Sequence, residues 1–311
     1  MRRSGAFVLA FIFILWITPA VFAADNGSPD AASAQPAAAA VPDAQTADAQ
    51  PADTPAAAPA KNPAPAPEQV FSINQVELFW TAAAKPDAVY GYGTSTHDLG
   101  TVQFEHFSFH RWGEIYFDAE GYQGHNVGSP FSTGNDWQSL LVLNPYLSIA
   151  KITHHKKCGF GPITDVQMVA RFERESYPDT PHFYTRNFGP TLVFKVPGFV
   201  WFESGLLERW DNINRKETYL WRSVVLSNGW NVGGQKFHYN LLSLINGTRG
   251  NGTSVFERND FLWEVPKVQH VQVGMRLEIE NYAHDPIEAV YYGLDKPYTR
   301  VMPEVMAKYI F

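Results

Sequence analysis

From residue 69 to the C-terminus, apolar and polar residues alternate in short tracts. In 114–120, Ile115, Phe117 and Ala119 oppose Glu114, Tyr116, Asp118 and Glu120. In 270–281, Val271, Val273, Met275, Leu277 and Ile279 oppose Gln272, Gly274, Arg276, Glu278 and Glu280. The chain closes in the same way, with Val305, Ala307, Tyr309 and Phe311 opposite Glu304, Met306, Lys308 and Ile310. A period of two places one set on each side of a β-strand.

Gly, Pro, Asn and Asp clusters punctuate these tracts, which predicts twelve strands. They cover 71–82, 101–110, 114–122, 139–150, 163–174, 187–196, 199–209, 217–227, 235–246, 259–265, 270–281 and a last strand ending at Phe311. Residues 283–300 read as a loop, although Ala289-Val290-Tyr291-Tyr292 also has strand character. Connections after the second, sixth and tenth strands are short, and those after the first, third and eleventh are long. An even strand count, short turns at one end, long loops at the other and a terminal aromatic are the marks of an outer-membrane barrel. The expected fold is all-β, a twelve-stranded antiparallel transmembrane β-barrel over 69–311. Pro303 cannot donate to a ladder, so it is expected at the upper end of the last strand.

The N-terminus supports export. Met1-Arg2-Arg3 precedes an apolar run of twelve residues, Ala6 to Ile17, and Val21-Phe22-Ala23 fits a cleavage site. The run is short of the roughly 20 residues that a spanning helix needs, so 1–23 reads as a signal peptide. Residues 24–68 follow, with 18 Ala and 9 Pro among 45 positions and Val41 as the one large apolar side chain. Such a segment cannot offset its ordering entropy by burial, and it reads as a disordered tether in the periplasm.

Composition narrows the function classes. One cysteine, Cys158, forbids an internal disulfide, and a closed hydrogen-bonded barrel supplies stability by other means. A net charge of −7 argues against a nucleic-acid partner. No dinucleotide, P-loop, zinc or G-x-S-x-G pattern is present, so no cofactor, metal or catalytic residue is assigned. His154-His155-Lys156-Lys157 is the obvious histidine pair, and it reads as a solvated basic turn rather than part of an enzyme site.

The polar sets point to the lumen. Arg or Lys on the lipid face costs roughly 2–4 kcal/mol at the midplane, so the charges that oppose apolar neighbours should face inward. These are Glu105, Glu114, Asp118, Glu120, Arg171, Glu173, Glu203, Arg222, Arg276 and Glu278. Phe107 and Tyr116 join them. Together they suggest a narrow pore in which aromatics stack on a flat solute and charged groups bond its edge. The plainer reading is a set of salt bridges that fill the interior.

Val102-Gln-Phe-Glu105-His-Phe107 through Trp112-Gly-Glu114-Ile-Tyr116-Phe-Asp118-Ala-Glu120 resembles the early strand pair of the Tsx family of nucleoside-specific outer-membrane channels. Asn144-Pro145-Tyr146-Leu147-Ser148-Ile149, Gly159-Phe160-Gly161-Pro162 and Gly233-Gly234-Gln235 are similar to later landmarks of that family. The resemblance is good over 100–175, weaker over 186–282 and absent from the tether. Gln75-Val-Glu77-Leu-Phe-Trp80 lacks a match. It implies a monomer in the outer membrane of a Gram-negative bacterium, embedded in outer-membrane lipid and passing nucleosides and deoxynucleosides by diffusion. It also implies outer loops open to phages or colicins, and Glu105, Phe107, Glu114, Tyr116 and Asp118 as lumen residues. The competing expectation is a structural or receptor barrel that the tether fastens to the cell wall, without specific transport.

Overall fold

The computed structural model describes residues 69–84, 97–125, 127, 135–154, 159–176, 182–212, 217–247, 253–282 and 298–311. The expected signal peptide and tether, and Ala289 to Tyr292, lie outside these residues.

Twelve long strands form one closed antiparallel sheet. They are β1 (Gln69–Thr81), β2 (Leu99–His110), β3 (Gly113–His125), β4 (Asn135–Ser148), β5 (Ile163–Ser176), β6 (Phe183–Phe194), β7 (Phe199–Asp211), β8 (Glu217–Ser227), β10 (Gln235–Gly247), β11 (Thr253–Glu264), β12 (Val271–Tyr282) and β13 (Tyr298–Ile310). Each pairs with the next, and β13 returns to β1, with Gln75 opposite Ile310 and Trp80 opposite Val305. Closure leaves no unpaired sheet edge, which lipid would not tolerate. Short connections, 111–112, 195–198 and 265–270, gather where β1 begins and β13 ends. The long ones, 82–98 and 283–297, are at the other end.

Alternation sorts the side chains as the pattern requires. Leu78, Val102, Leu141, Phe172, Phe188, Leu206, Met275 and Val305 are exposed on the outside. Charged and amide side chains at the intervening positions are buried inside. Leu206 at 54 % and Val305 at 59 % are among the most exposed aliphatic residues. In a soluble protein that belt would be a liability; facing acyl chains it is the required surface. Tyr309 and Phe311 stack at 5.9 Å near the turn end, and Trp80, Trp137 and Tyr219 are exposed toward the loop end.

Several boundaries differ from expectation, for local reasons. The fourth strand stops at Ser148 rather than 150, and Ile149–Ile152 form a short helix, α1. The Ser148 hydroxyl accepts from the Lys151 N–H at 3.1 Å, and Asp165 accepts from the Ala150 N–H at 2.9 Å. These capping bonds end the strand at Ser148 although Ile149 and Ala150 continue its apolar run. The strand expected to start at 259 starts at Thr253. Its outward set there includes Glu257 and Asn259, which breaks the apolar alternation. The sixth strand starts at Phe183 rather than 187. Within the expected turn 228–234, Trp230–Val232 form a short strand, β9, on β10.

Two prolines show what the punctuation does. Val196-Pro197-Gly198-Phe199 closes with the Phe199 N–H donating to the Val196 carbonyl at 3.2 Å, and Gly198 has φ +91°. Proline before a positive-φ glycine is the type II arrangement. Pro303 lies inside β13 rather than at its start, opposite Leu277. Asn74 and Phe311 exchange both backbone bonds, 3.1 and 2.9 Å. Odd-numbered residues of β13 therefore point their N–H groups toward β1. Pro303 falls just past the last β1 partner, Trp80–Val305, so no ladder bond is lost.

Candidate functional site

The interior has two unlike walls. The first runs from β11 through β12, β13, β1 and β2 to β3, and is dense in charge. Its centre is Arg276 on β12, 3 % exposed. The guanidinium donates to Asp260 at 2.7 and 3.1 Å, to the Gln103 carbonyl at 2.9 Å and to Glu77 at 3.1 Å. It lies over the Phe79 ring at 3.9 Å, a close cation–π contact. Lys308 pairs with Glu77 at 2.7 Å, and Arg300 pairs with Glu280 at 2.6 Å. Arg258 on β11 donates to Glu120 at 2.7 and 3.2 Å and to Glu278 at 2.8 Å. Buried charges persist only when paired and hydrogen-bonded, and here each of these cations has carboxylate partners.

The second wall runs from β4 to β10 and sets an apolar cluster among separate ion pairs, Arg171–Glu173 and Arg209–Asp211. Val169, Leu207, Leu220 and Leu244 pack with Tyr146 into one buried cluster. One charged group is set in it. Arg222 pairs with Glu203 and donates to the Tyr146 hydroxyl at 2.8 Å, and that hydroxyl donates to Glu203 at 3.3 Å. Gly189 on β6 and Gly205 on β7 let backbones approach there; a Cβ on either would strike the neighbouring strand.

Between the walls is a cavity of about 660 Å³, within the roughly 300–1,000 Å³ of small-molecule sites. Toward the turn end its lining is aromatic and aliphatic, with Phe107, Phe109, Trp201, Ile73, Leu226 and Ile310. Toward the loop end it meets Asp118, Glu120, Glu175, Asn187, Arg209 and Arg258. Beyond that, Leu99, Tyr122, Leu140, Val142 and Met302 form a second apolar cluster with Ala84 and Val127.

Among the described residues, three contacts span the lumen across three or more intervening strands. Phe107 on β2 meets Trp201 on β7 edge-on, with centroids 6.0 Å apart. Tyr146 on β4 meets Arg222 on β8. Arg258 on β11 meets Glu120 on β3. The interior is therefore narrow.

The residues expected to line a pore all point inward, but they separate into groups. Glu105, Phe107, Tyr116, Asp118, Glu120, Arg171, Glu173, Arg222 and Arg276 line the cavity. Glu105 accepts from Gln75 and, at 2.5 Å, from the Tyr116 hydroxyl. Tyr116 and Phe107 are 6.2 Å apart. Gln103 donates to Asp118 at 3.1 Å, and Arg171 pairs with Glu173 at 3.1 Å. Glu114, Glu203 and Glu278 stand off the cavity surface, contrary to expectation. Glu114 is held by Lys151 at 2.5 Å and Gln167 at 2.7 Å beside the first turn; Glu203 is engaged by Arg222, and Glu278 by Arg258.

Sequence reasoning missed Glu77, Tyr146, Trp201, Arg258 and Asp260. Glu77 is in phase with Gln75 and Phe79, and Tyr146 with Val142, so alternation alone would have found both. Arg258 and Asp260 were hidden because the opposite set, Glu257 and Asn259, is polar as well. Among the described residues, no group of three His, Cys, Asp or Glu side chains is arranged to hold a metal ion.

Comparison with protein-family models yields no match, and comparison with curated proteins yields none either.

Proposed function

We propose that this barrel is an outer-membrane channel for passive diffusion of small polar solutes, with nucleosides and deoxynucleosides as the solute class. The closed twelve-stranded fold with an apolar outer belt fits an outer-membrane protein. The observation that carries the reading is the cavity, in which Phe107, Tyr116 and Trp201 offer ring faces or edges beside Glu105 and Asp118. A flat heterocycle can lie against the rings while its hydroxyl and ring nitrogens bond the charged groups. Binding there should be weak, because a conduction site must release what it holds. The resemblance of 102–120 to the Tsx family supports the same solute.

A filled barrel that serves as a receptor or structural element is the second reading. The three contacts across the lumen favour it. Planar-bilayer recording of the purified protein separates the two. A small conductance that micromolar to millimolar nucleoside reduces is expected. A large conductance indifferent to nucleosides would leave a general porin, and an absence of conductance would leave the filled barrel.

A further inference from the structure

We propose that Arg258 is the residue that limits which solutes cross the lumen, by acting as a fixed bar between β11 and β3. This rests on the channel reading. Four strands, β12, β13, β1 and β2, separate β11 from β3 on the shorter way round. The side chain therefore reaches across the bore to Glu120 as well as to Glu278 on the neighbouring strand.

Its geometry is that of a strut. Two nitrogens of the guanidinium meet the two oxygens of Glu120, at 2.7 and 3.2 Å, and the third meets Glu278 at 2.8 Å. A planar fork held at both edges has little rotational freedom. Both ends are fixed again: Tyr122 donates to Glu120, and Phe256 lies 5.5 Å from the guanidinium. The side chain of Arg258 is 11 % exposed and that of Glu120 is fully buried. The strut stands in the wall of the cavity, which runs on to Leu140, Glu175 and Phe183; at the loop end is the apolar cluster around Tyr122, Leu140 and Met302. A solute passing from one to the other must go beside this guanidinium. Two carboxylates share one cation, so the bar carries net negative charge and disfavours anions. Lysine cannot replace it, because an ammonium group is a point charge without the fork that holds both partners.

The test uses the full-length protein in planar bilayers and in liposome swelling with neutral sugars of graded size. Arg258→Met should raise conductance several-fold and admit sugars that the wild type excludes. Arg258→Lys should move both readouts the same way by less. The exchanged pair Glu120→Arg with Arg258→Glu should return both toward wild type. Heat-modifiable gel mobility reports that each variant has folded, and Arg258→Lys carries the test if Arg258→Met does not fold. A conducting wild type with unchanged conductance and sugar cutoff in the folded variants overturns the strut and leaves the channel standing. A wild type that does not conduct overturns the channel reading itself.

Discussion

The two walls of the lumen solve one problem in opposite ways. Each must fill space inside a closed sheet without leaving a group unsatisfied. The wall from β4 to β10 does so around an aliphatic cluster, with its charge held in separate groups, Arg171–Glu173, Arg209–Asp211 and Arg222–Glu203–Tyr146. The wall from β11 to β3 uses guanidinium groups that reach several acceptors, as Arg276 does with Asp260, Gln103 and Glu77. Packing is tolerant of small shifts, whereas forked hydrogen bonds fix positions to a few tenths of an ångström. The first wall holds the more extended charged network, and the second the aliphatic cluster around Leu207.

Removing one side chain from each wall should expose that difference. Arg276→Ala strips Glu77 and Asp260 of their shared partner inside the barrel. A loss of about 3–5 kcal/mol is expected, as for other broken buried pairs, read from urea unfolding in lipid vesicles by tryptophan fluorescence. A change under about 1 kcal/mol would mean that water already solvates this wall. Leu207→Ala, in the aliphatic cluster, should cost about 2–4 kcal/mol in the same assay, and should leave conductance near wild type. If it changed conductance as much as Arg258→Met, the contrast between the walls would fail. Lys236→Ala, at the turn-end rim, removes a half-exposed pair with Glu264 at 2.6 Å. Such pairs contribute about 0–1 kcal/mol, so its unfolding midpoint should scarcely move; a larger shift would extend the charged network to the rim.

Much of this fold was legible in the chain. Val271 to Ile279 and Ile115 to Ala119 alternate cleanly because only one of their faces turns outward from the barrel. Where both faces are polar, as at Glu257-Arg258-Asn259-Asp260, alternation carries no phase and β11 was read six residues short. The ionisable residues of the lumen were readable one strand at a time, but their partners were not. Arg258 meets Glu120 across 138 positions, and Arg276 meets Glu77 across 199. No local pattern encodes such a pairing; it depends on how many strands close the ring and on their register. For the same reason Glu114, Glu203 and Glu278 could be assigned to the inside but not distinguished from residues that reach the cavity.

The ring has one seam that joins its two sequence ends. β3 and β4 pair from Gly113–Leu147 to His125–Asn135, while β1 and β13 pair from Asn74–Phe311 to Trp80–Val305, as short a run as that between β8 and β10. That junction also joins the two most distant parts of the sheet, so it gains its bonds only after every other strand is in place. Until then β1 and β13 are both open edges, able to template further strands. The closing step, rather than any single strand, is thus where this chain is most exposed to misassembly. Pairing of Asn74 to Trp80 with Val305 to Phe311 is what terminates that exposure.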